Sequence, residues 1–569
     1  MATALRIWLL FVVVCTAACA HQTAELQPQV PQYAAVYGNN KGAIASVNPF
    51  ATSAGLAAFA AGGNAIDAAL AVAFTLGVVD SHNSGIGGGC FILVRLADGR
   101  VLAIDGREMA PMAATPETFL VDGKVQPALS RTGPLAVGVP GSVAAYHHLQ
   151  SLGGRLSWKD VILPAAHLAD QGFPIDRTMS LRLNGVKGDL QQFPASASIY
   201  LLPSGEAPQP GYQLRQQDLA ASYRALAQQG PDWFYKGDFA RRLANWMSAN
   251  GGLISYQDFA NYQLKVREPL VTHFKGFEIY GFPSPSSGGT HVAQILAMLE
   301  PLPLQEMAEA DFYHVLAEAM RLAFADRAHW MGDADFVPVP AGLLDADYLR
   351  KRAAQIDRSR AAPSVQHGLP PDAEALFNKH TTHIAAADAE GNWVAITTTL
   401  NTSFGSKVVV PGTGVLLNNQ MDDFSLDPGL ANAFGLVGAH ANSVEPGKRP
   451  LSSMSPTIVT RAGKPVMTLG AAGGPTIISQ VTHVLLRHLA LQQPLEDAME
   501  APRIHHQWKP ELLFVEPGIS DAVRKSLQER GHVLKDMGSF GGTQAIVVEE
   551  GRFLPMAEPR VIRRNQEEN

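Results

Sequence analysis

The feature that most constrains the fold is the stretch that starts at His380, where a polar loop gives way to a predicted hairpin. Residues 384–387 and 393–400 are apolar or β-branched and are typical of two buried strands. The intervening residues 388–392 contain Asp, Gly and Asn, which favour a turn. The sequence therefore places Thr381 directly before a strand of the protein's core.

Thr381 gains a catalytic chemistry only if the bond that precedes it is cut. Cleavage of the bond between His380 and Thr381 would leave a free α-amine beside the hydroxyl of the same residue. An α-amine has a pKa of roughly 7.7–8.0, so it can accept the hydroxyl proton and make Oγ a nucleophile. The alternative is that Thr381 and Thr382 are ordinary β-branched residues of a strand.

The composition indicates a large globular protein and argues against a nucleic-acid partner. The chain has 569 residues, of which 46% are hydrophobic and 17% charged, and its formal net charge is −7. This length suits several ordinary domains or one large layered α/β unit. Lys and Arg are scattered along the chain, so no basic surface for nucleic acid is expected.

The first twenty residues have the pattern of an export signal. Arg6 provides a positive start, residues 7–14 form a short apolar core, and residues 18–20 fit a cleavage site for small side chains. Residues 16–19 also weakly resemble the box in which bacteria attach lipid to a cysteine, here Cys19. No later run is apolar enough to span a bilayer. We therefore expect an exported protein, periplasmic or extracellular, with a lipid anchor at Cys19 left open.

The number and positions of the cysteines exclude disulfides and cysteine-based metal sites in the mature protein. Cys15 and Cys19 lie in the export signal, which leaves Cys90 alone in the mature protein. No intrachain disulfide and no cysteine-based metal site can then form. Histidine spacing is equally uninformative for zinc, because no His-Glu-x-x-His motif occurs. We expect neither a metal nor a cofactor.

The remaining elements predict a layered fold. The sequence predicts a helix from about residue 54 to residue 76 that is capped by Thr52 or Ser53, and a mainly helical section over residues 138–366. Short strands, such as residues 414–417, alternate with turns in the last third of the chain. Helices at both ends with hairpins between them predict sheets that are stacked between helical layers.

Three segments of the last third could contribute to a site. Gly473 and Gly474 precede a predicted helix, where successive N–H groups can face a developing oxyanion, although tight turns share this pattern. Residues 418–424 offer carbonyls and two carboxylates, which suit an ammonium group or a solvated acidic turn. Ser452 and Ser453 could supply a serine nucleophile, or could act only as hydrogen-bonding groups of a loop.

Taken in order, these segments resemble those of the γ-glutamyltranspeptidase family. The resemblance runs from about Ala45 to the C-terminus, and its motifs are residues 105–111, 381–383, 399–405, 417–425, 448–457 and 473–474. It implies an α/β (α+β) protein with the four-layer αββα fold of N-terminal nucleophile hydrolases. It also implies a precursor that cuts its own chain before Thr381.

The resemblance implies a role for each matching residue. Thr381 would be the nucleophile of self-cleavage and of turnover, Thr399 would hydrogen-bond it, and Gly473 with Gly474 would form the oxyanion hole. The two charged groups of a glutamyl substrate would be held by polar residues: Arg107, Ser452 and Ser453 for the α-carboxylate, and Asn401, Gln420 and Asp423 for the α-ammonium. Such anchors fix the amino-acid end of the substrate. They make few contacts with the leaving group, which is therefore expected to be recognised only weakly.

The sequence departs from the family at one position. Residues 428–438 resemble the lid loop of bacterial members, but Phe434 stands where those commonly carry a tyrosine that hydrogen-bonds the active-site asparagine. Phenylalanine can cover the site but cannot donate that hydrogen bond. The balance between hydrolysis and transfer, which depends on the exclusion of water, is therefore left open.

The resemblance predicts an exported γ-glutamyltransferase and glutathione hydrolase. The chain would comprise a signal peptide (residues 1–20), a large subunit (21–380) and a small subunit (381–569), the last two forming a heterodimer. Water, amino acids or dipeptides would accept the γ-glutamyl group of glutathione and related amides. The alternatives are a cephalosporin (glutaryl) acylase of the same fold, a catalytically silent exported protein that binds amino acids or peptides, and a serine hydrolase that uses Ser452 or Ser453.

Overall fold

The hairpin predicted after Thr381 is present, and it forms the centre of the larger of two stacked sheets. A computed structural model describes residues 37–38, 42–370, 382–427, 430–436 and 440–566, which all belong to one compact unit of the chain (residues 32–569). His380 and Thr381 lie outside the described residues. The strands are β1 (Tyr37–Gly38), β2 (Gly42–Ala45), β3 (Gly89–Arg95), β4 (Val101–Gly106), β5 (Leu120–Val121), β6 (Lys124–Val125), β7 (Phe173–Pro174), β8 (Gln213–Leu214), β9 (Lys265–Arg267), β10 (Leu270–Phe274), β11 (Phe277–Gly281), β12 (Thr382–Asp388), β13 (Trp393–Thr399), β14 (Thr457–Arg461), β15 (Lys464–Gly470), β16 (Ile504–His505), β17 (Leu513–Val515), β18 (Leu534–Asp536), β19 (Gln544–Glu549) and β20 (Arg552–Ala557).

Helices separate and follow these strands. The α-helices are α1 (Pro49–Ala60), α2 (Ala65–Val79), α3 (Pro127–Arg131), α4 (Ser142–Ser151), α5 (Trp158–Gln171), α6 (Arg177–Leu190), α7 (Pro194–Tyr200), α8 (Gln217–Gln229), α9 (Pro231–Tyr235), α10 (Asp238–Ala249), α11 (Tyr256–Ala260), α12 (Gly288–Leu299), α13 (Glu309–Trp330), α14 (Ala346–Ala353), α15 (Thr476–Leu485), α16 (Leu495–Glu500), α17 (Asp521–Glu529) and α18 (Pro559–Gln566). A π-helical segment (Leu486–Ala490) continues α15, and a single 3-10 turn spans Gln420–Asp423.

Two antiparallel sheets form the middle of the protein. The seven-stranded sheet has the order β1-β2-β12-β13-β3-β4-β9, and the six-stranded sheet has the order β10-β11-β14-β15-β19-β20. The sheets contact each other through β12 and β13 on one side and β15 and β19 on the other. The central hairpin is therefore enclosed by strands that come from both halves of the chain.

The central strands carry apolar residues on both faces because both faces are buried. In β12, Ala385 and Ala387 face the second sheet, whereas Ile384 and Ala386 pack with the first helical layer. Successive side chains of a strand point to opposite faces, so a strand that is apolar throughout requires a packed layer on each side. This is the arrangement that the hairpin sequence predicts.

Helices cover the outer face of each sheet. Helix α2 packs against β12 and β13, while α12 packs against β10 and β11 on the opposite side of the molecule. The apolar residues of the second sheet and of helices α12, α13 and α15 form a separate core cluster. The four-layer αββα arrangement implied by the resemblance is confirmed.

The predicted helix over residues 54–76 is wrong in its extent and its cap. It is two helices, α1 and α2, which are separated by a turn in which Gly62 has a φ of +92°. Asn48, rather than Thr52 or Ser53, caps α1 and accepts a hydrogen bond from the Phe50 N–H. A proline at the first helical position and an asparagine before it form a stronger start signal than hydroxyl residues one turn later.

The predicted strand at residues 414–417 is absent. Only an isolated bridge between Val409 and Leu416 occurs there. Gly412 and Gly414 have φ angles of +71° and +65°, a left-handed conformation that interrupts an extended ladder. In the described part of the chain, none of the helices combines the length and the apolar character needed to cross a membrane.

Candidate active site

A cavity of about 620 Å³ opens beside the start of β12. Thr382, the first described residue after the expected cleavage site, lines this cavity together with three of the predicted site residues, Asn401, Phe434 and Gly473. The predicted nucleophile Thr381 and its neighbour His380 are not among the described residues. The cavity therefore brings together one residue each of the expected oxyanion hole (Gly473), ammonium site (Asn401) and lid (Phe434). They meet at the end of the hairpin where β12 begins.

Thr399 ends strand β13 and is completely buried. It pairs with Gly89 across the sheet, and its Oγ1 accepts a hydrogen bond of 2.7 Å from the Asn401 N–H. Glycine is required on the neighbouring segment, because a Cβ atom on Gly88 would lie 1.8 Å from the Thr399 carbonyl oxygen. The glycine run before β3 therefore packs against the backbone that fixes Thr399.

Gly473 and Gly474 form a tight turn after β15 and before α15. Their φ angles are +125° and +66°, values that favour glycine. The Gly473 carbonyl accepts a hydrogen bond from Thr476 Oγ1 (2.6 Å), and the Gly474 carbonyl accepts one from the Ile477 N–H (3.0 Å). Since the N–H and C=O of a trans peptide point in opposite directions, the Gly474 N–H is directed away from Thr476. This orientation suits an oxyanion hole.

Arg107 and Asp423, the two predicted charged anchors, contact each other. Arg107 Nη2 lies 2.6 Å from Asp423 Oδ2, and both side chains are fully buried. Arg107 Nε also donates to the Pro450 carbonyl (3.0 Å), and Gln420 Nε2 donates to Asp423 Oδ2 (2.5 Å). The pair compensates the cost of burying either charge alone.

Ser452 and Ser453 belong to the same buried cluster. Ser452 Oγ accepts a hydrogen bond from the Met454 N–H (3.0 Å), and Ser453 Oγ accepts one from Arg327 Nη2 (2.8 Å). Arg327 is a site residue that sequence reasoning missed. Its Nε donates to Ser287 Oγ (2.7 Å), and burial lowers the pKa of its guanidinium to about 9 while the charge of Asp423 raises it. An arginine within the apolar face of α13 is the signal that could have revealed it.

Asn401 lines the cavity and is hydrogen-bonded to the segment that precedes Gln420. It has a φ of +79°, and its Nδ2 donates to the Asn419 carbonyl (2.9 Å). Its Oδ1 is buried and has no hydrogen-bond partner within the described residues. A carbonyl oxygen at the wall of a cavity is suited to accept a hydrogen bond from a ligand's ammonium group.

Phe434 covers part of the cavity and is half-buried. Its N–H donates to Asn432 Oδ1 (3.0 Å), and its carbonyl accepts a hydrogen bond from Gln507 Nε2 (3.3 Å). Asp422 Oδ2 accepts a hydrogen bond from the Ala433 N–H (3.2 Å). The lid segment is therefore held through its backbone on two sides.

Asp80 and His82 also line the cavity, and sequence reasoning did not single them out. Burial raises the pKa of the Asp80 carboxyl to about 7, and burial lowers the pKa of His82 to about 3. Asp80 Oδ1 accepts a hydrogen bond from Asn83 Nδ2 (2.9 Å) and lies 3.3 Å from His82 Nε2. A neutral histidine therefore stands beside a carboxyl that changes charge near neutral pH.

The predicted site residues form two groups. Asn401, Phe434 and Gly473 line the cavity, while the remaining predicted binding residues are buried and are not among the residues that line it: Arg107, Gln420, Asp423, Ser452 and Ser453. Within the described residues, no group of three or more His, Cys, Asp or Glu side chains could hold a metal ion. The arrangement offers opposite charges for a zwitterion and backbone amides for an oxyanion.

Known proteins share this architecture. A family model described as gamma-glutamyltranspeptidase matches residues 51–567. A glutathione hydrolase proenzyme of Escherichia coli (strain K12) is 40% identical over 92% of this chain and 91% of its own, and an acylase ACY 1 proenzyme of Pseudomonas sp. (strain SE83) is 38% identical over 89% and 90%. The crystal structure of a cephalosporin acylase from Bacillus halodurans superposes with a TM-score of 0.83 at 28% identity, covering 94% of this chain and 97% of the acylase.

Proposed function

Because this chain belongs to the gamma-glutamyltranspeptidase family, we propose that it is a γ-glutamyltransferase and glutathione hydrolase whose nucleophile is Thr381. It is an enzyme of the N-terminal nucleophile hydrolase type. The precursor would cut its own chain before Thr381, and the new α-amine would then activate the hydroxyl of the same residue.

The register of the central hairpin is the observation that carries this proposal. Thr382 pairs with Thr398 across β12 and β13. If the pairing continued by one residue, Thr381 would lie opposite Thr399, and directly opposed residues have Cβ atoms about 4.5–5.5 Å apart. The Thr399 hydroxyl would then be within reach of the nucleophile. The odd-numbered residues Ala385, Ala387 and Ala395 of this hairpin pack toward the second sheet, from whose β15 the turn at Gly473 follows.

The reaction follows from these positions in two steps. Thr381 Oγ attacks the γ-carbonyl carbon of the donor, its proton passes to the α-amine, and the amides of Gly473 and Gly474 stabilise the oxyanion. The C–N bond then breaks, and the leaving amine (Cys-Gly in the case of glutathione) takes the proton. Water or an acceptor amine attacks the resulting γ-glutamyl ester and regenerates Thr381.

The buried charged cluster would select the glutamyl group by exchanging partners. The α-carboxylate of the substrate would bind Arg107, with Ser452 and Ser453 nearby, and the α-ammonium would bind Asp423, Gln420 and Asn401. A zwitterion offers a new partner to each member of the Arg107–Asp423 pair, so neither buried charge is left unpaired.

The mature enzyme would contain two fragments of one precursor, residues 21–380 and 381–569. In the seven-stranded sheet, β12 and β13 of the second fragment lie between β2 and β3 of the first. The fragments would therefore remain joined by strand pairing without a covalent link. An export signal at residues 1–20 would place the enzyme in the periplasm or outside the cell, with lipid attachment at Cys19 left open.

The acylase reading is the alternative, and the relative and the solved structure that carry acylase names favour it. A glutaryl group has a carboxylate for Arg107 but no ammonium for Asp423, so its binding would leave a buried carboxylate without its cation. Comparison of γ-glutamyl-p-nitroanilide with glutaryl-p-nitroanilide tests this reasoning. We expect faster turnover of the γ-glutamyl donor, and Asp423→Asn should reduce that preference; a preference for the glutaryl donor would contradict the proposal.

A further inference from the structure

Two arginines line the same cavity as Asn401 and Gly473 but come from distant parts of the chain. Arg182 lies in helix α6, and Arg564 lies in the C-terminal helix α18. Their positive charges are close enough to affect each other, because Arg182 adds to the effect of burial in lowering the pKa of the Arg564 guanidinium. Like charges at one cavity wall are unfavourable unless an anion binds between them.

In the described part of the chain, neither arginine forms a salt bridge with a carboxylate, unlike its neighbours. In the same helix α18, Arg560 pairs with Glu516 and Glu558, and Arg563 pairs with Glu500. Arg564 instead donates through Nε to the Arg560 carbonyl and through Nη2 to the Gly541 carbonyl, each at 3.2 Å. These two bonds fix its guanidinium at the cavity wall without neutralising its charge.

The acidic residues of the cavity, Asp176 and Asp80, offset only part of the charge of Arg182, Arg564 and Lys407. Asp176 uses one carboxylate oxygen to cap α6 at the Met179 N–H (2.7 Å), and the other accepts a hydrogen bond from Asn565 Nδ2 (2.9 Å). Asp80 is only partly ionised at neutral pH, since burial raises its pKa to about 7. Lys407 adds a further cation to the lining. The wall is therefore positive on balance.

We propose that Arg182 and Arg564 form a subsite for the terminal carboxylate of the peptide that leaves the donor or accepts the γ-glutamyl group. This inference rests on the proposed function, in which the glutamyl end is held by Arg107 and Asp423. The part of the substrate beyond the scissile bond then extends into the cavity, where a second carboxylate meets two guanidinium groups. Guanidinium groups bind carboxylates through charge-assisted hydrogen bonds. The leaving group is thus recognised, in contrast to the sequence-based expectation that it is recognised only weakly.

The test compares two donors that differ only in this carboxylate: glutathione and its C-terminal glycinamide. We expect the wild-type enzyme to favour glutathione in kcat/KM on the order of tenfold, mainly through KM, as a charge-assisted contact predicts. The ratio of kcat/KM for glutathione to kcat/KM for the glycinamide should decrease in Arg182→Gln and in Arg564→Gln, and it should be closest to one in the double variant. High salt should also decrease this ratio in the wild-type enzyme. Arg182→Lys, which keeps the charge, should retain part of the preference.

Arg241→Gln is the matched control, since Arg241 is an exposed helical arginine that does not line the cavity. It should keep the wild-type ratio. Correct folding of each variant is checked by its melting temperature and by its fragment pattern on a denaturing gel. The proposal of a carboxylate subsite would be overturned if the wild-type enzyme had similar kcat/KM values for the two donors, or if the double variant kept the wild-type ratio of these values. Release of glutamate from neither donor would instead contradict the proposed function itself.

Discussion

At the scale of single residues, the buried contact between Arg107 and Asp423 dominates the candidate site. Both side chains are fully excluded from water, and their contact of 2.6 Å is closer than the 3.5 Å between Arg107 Nη1 and Glu108 Oε2, so it supplies much of the charge compensation of each. Removal of one partner from such a pair typically costs about 3–5 kcal/mol, whereas replacement of both by apolar residues costs much less. The pair is therefore expected to contribute to stability as well as to substrate binding.

A double-mutant cycle tests this mutual dependence. We predict that Asp423→Leu and Arg107→Met each lower the free energy of unfolding by about 3 kcal/mol, and that the double variant loses clearly less than the sum. Chemical denaturation monitored by fluorescence measures these values. Additive losses would show that the two side chains do not compensate each other.

The Asp80 carboxyl predicts a pH dependence of stability. Burial, with a smaller contribution from the charge of Asp176, raises its pKa to about 7, against lowering by Asn83, Thr382 and Arg182. For a group whose pKa is raised on folding, the stabilising contribution is complete below the unfolded-state pKa and is lost as the pH rises through the folded-state pKa. Ionised Asp80 should therefore weaken the folded state most above pH 7.

Asp80→Asn removes this titration while keeping a similar shape. We predict that the stability of the variant relative to wild type increases by about 2–3 kcal/mol between pH 5 and pH 8. Denaturation at several pH values measures the difference, and the other titrating groups, such as Glu108, are present in both proteins. A difference that does not change with pH would contradict the raised pKa.

At the scale of elements, the proposed lid, of which residues 430–436 are described, has backbone anchors but no hydroxyl group in that stretch that could donate to Asn401. Phe434 and Asn401 line the same cavity, and Asn401 Oδ1 has no hydrogen-bond partner within the described residues. Gln507 and Asp422 hold the lid from outside the cavity. The lid is therefore expected to exclude water less tightly than a lid with a tyrosine would.

Phe434→Tyr should supply the missing donor. We predict that the ratio of hydrolysis to transfer falls about threefold, because one additional hydrogen bond to Asn401 favours the closed lid and excludes water. Release of glutamate and formation of γ-glutamyl-glycylglycine, measured together, give this ratio. Phe434→Leu, which has no hydroxyl, is the control, and an equal effect of both substitutions would refute the hydrogen-bond explanation.

Elements with a clear period could be predicted from the sequence, whereas contacts between distant segments could not. The central hairpin was predictable because β12 and β13 are apolar on both faces and are joined by turn residues. The strand at residues 414–417 was predicted wrongly because the prediction rested on its apolar residues. Gly412 and Gly414 adopt left-handed φ angles that are incompatible with a regular strand. An arginine among the apolar residues of α13 indicates a buried polar contact, but its partner Ser453 depends on packing against a loop distant in the chain, which the local pattern does not identify.

At the scale of the whole molecule, the two sheets contain strands from before and after Thr381, so a cut before this residue need not separate the fragments. The strands β12 and β13 pair with β2 and β3, and β14 and β15 continue the sheet that β10 and β11 begin. Each sheet would thus contain strands from both fragments, with their buried faces packed against shared helices.

The interleaved strands predict a single unit after cleavage. We expect two fragments on a denaturing gel but one species in gel filtration, with or without a thiol reductant, because the described residues contain Cys90 alone, which is buried. Thermal unfolding should show one cooperative transition for both fragments. Separation of the fragments under native conditions would contradict the shared sheets.

The most direct test of the account is N-terminal sequencing and mass spectrometry of the wild-type protein, of Thr381→Ala and of Thr381→Ser, combined with release of glutamate from glutathione. The account predicts that active wild-type enzyme contains a fragment that begins Thr-Thr-His-Ile, that Thr381→Ala remains one uncut and inactive chain, and that Thr381→Ser still cuts itself. An active wild-type enzyme without that fragment, or an alanine variant that still releases glutamate, would contradict the central claim.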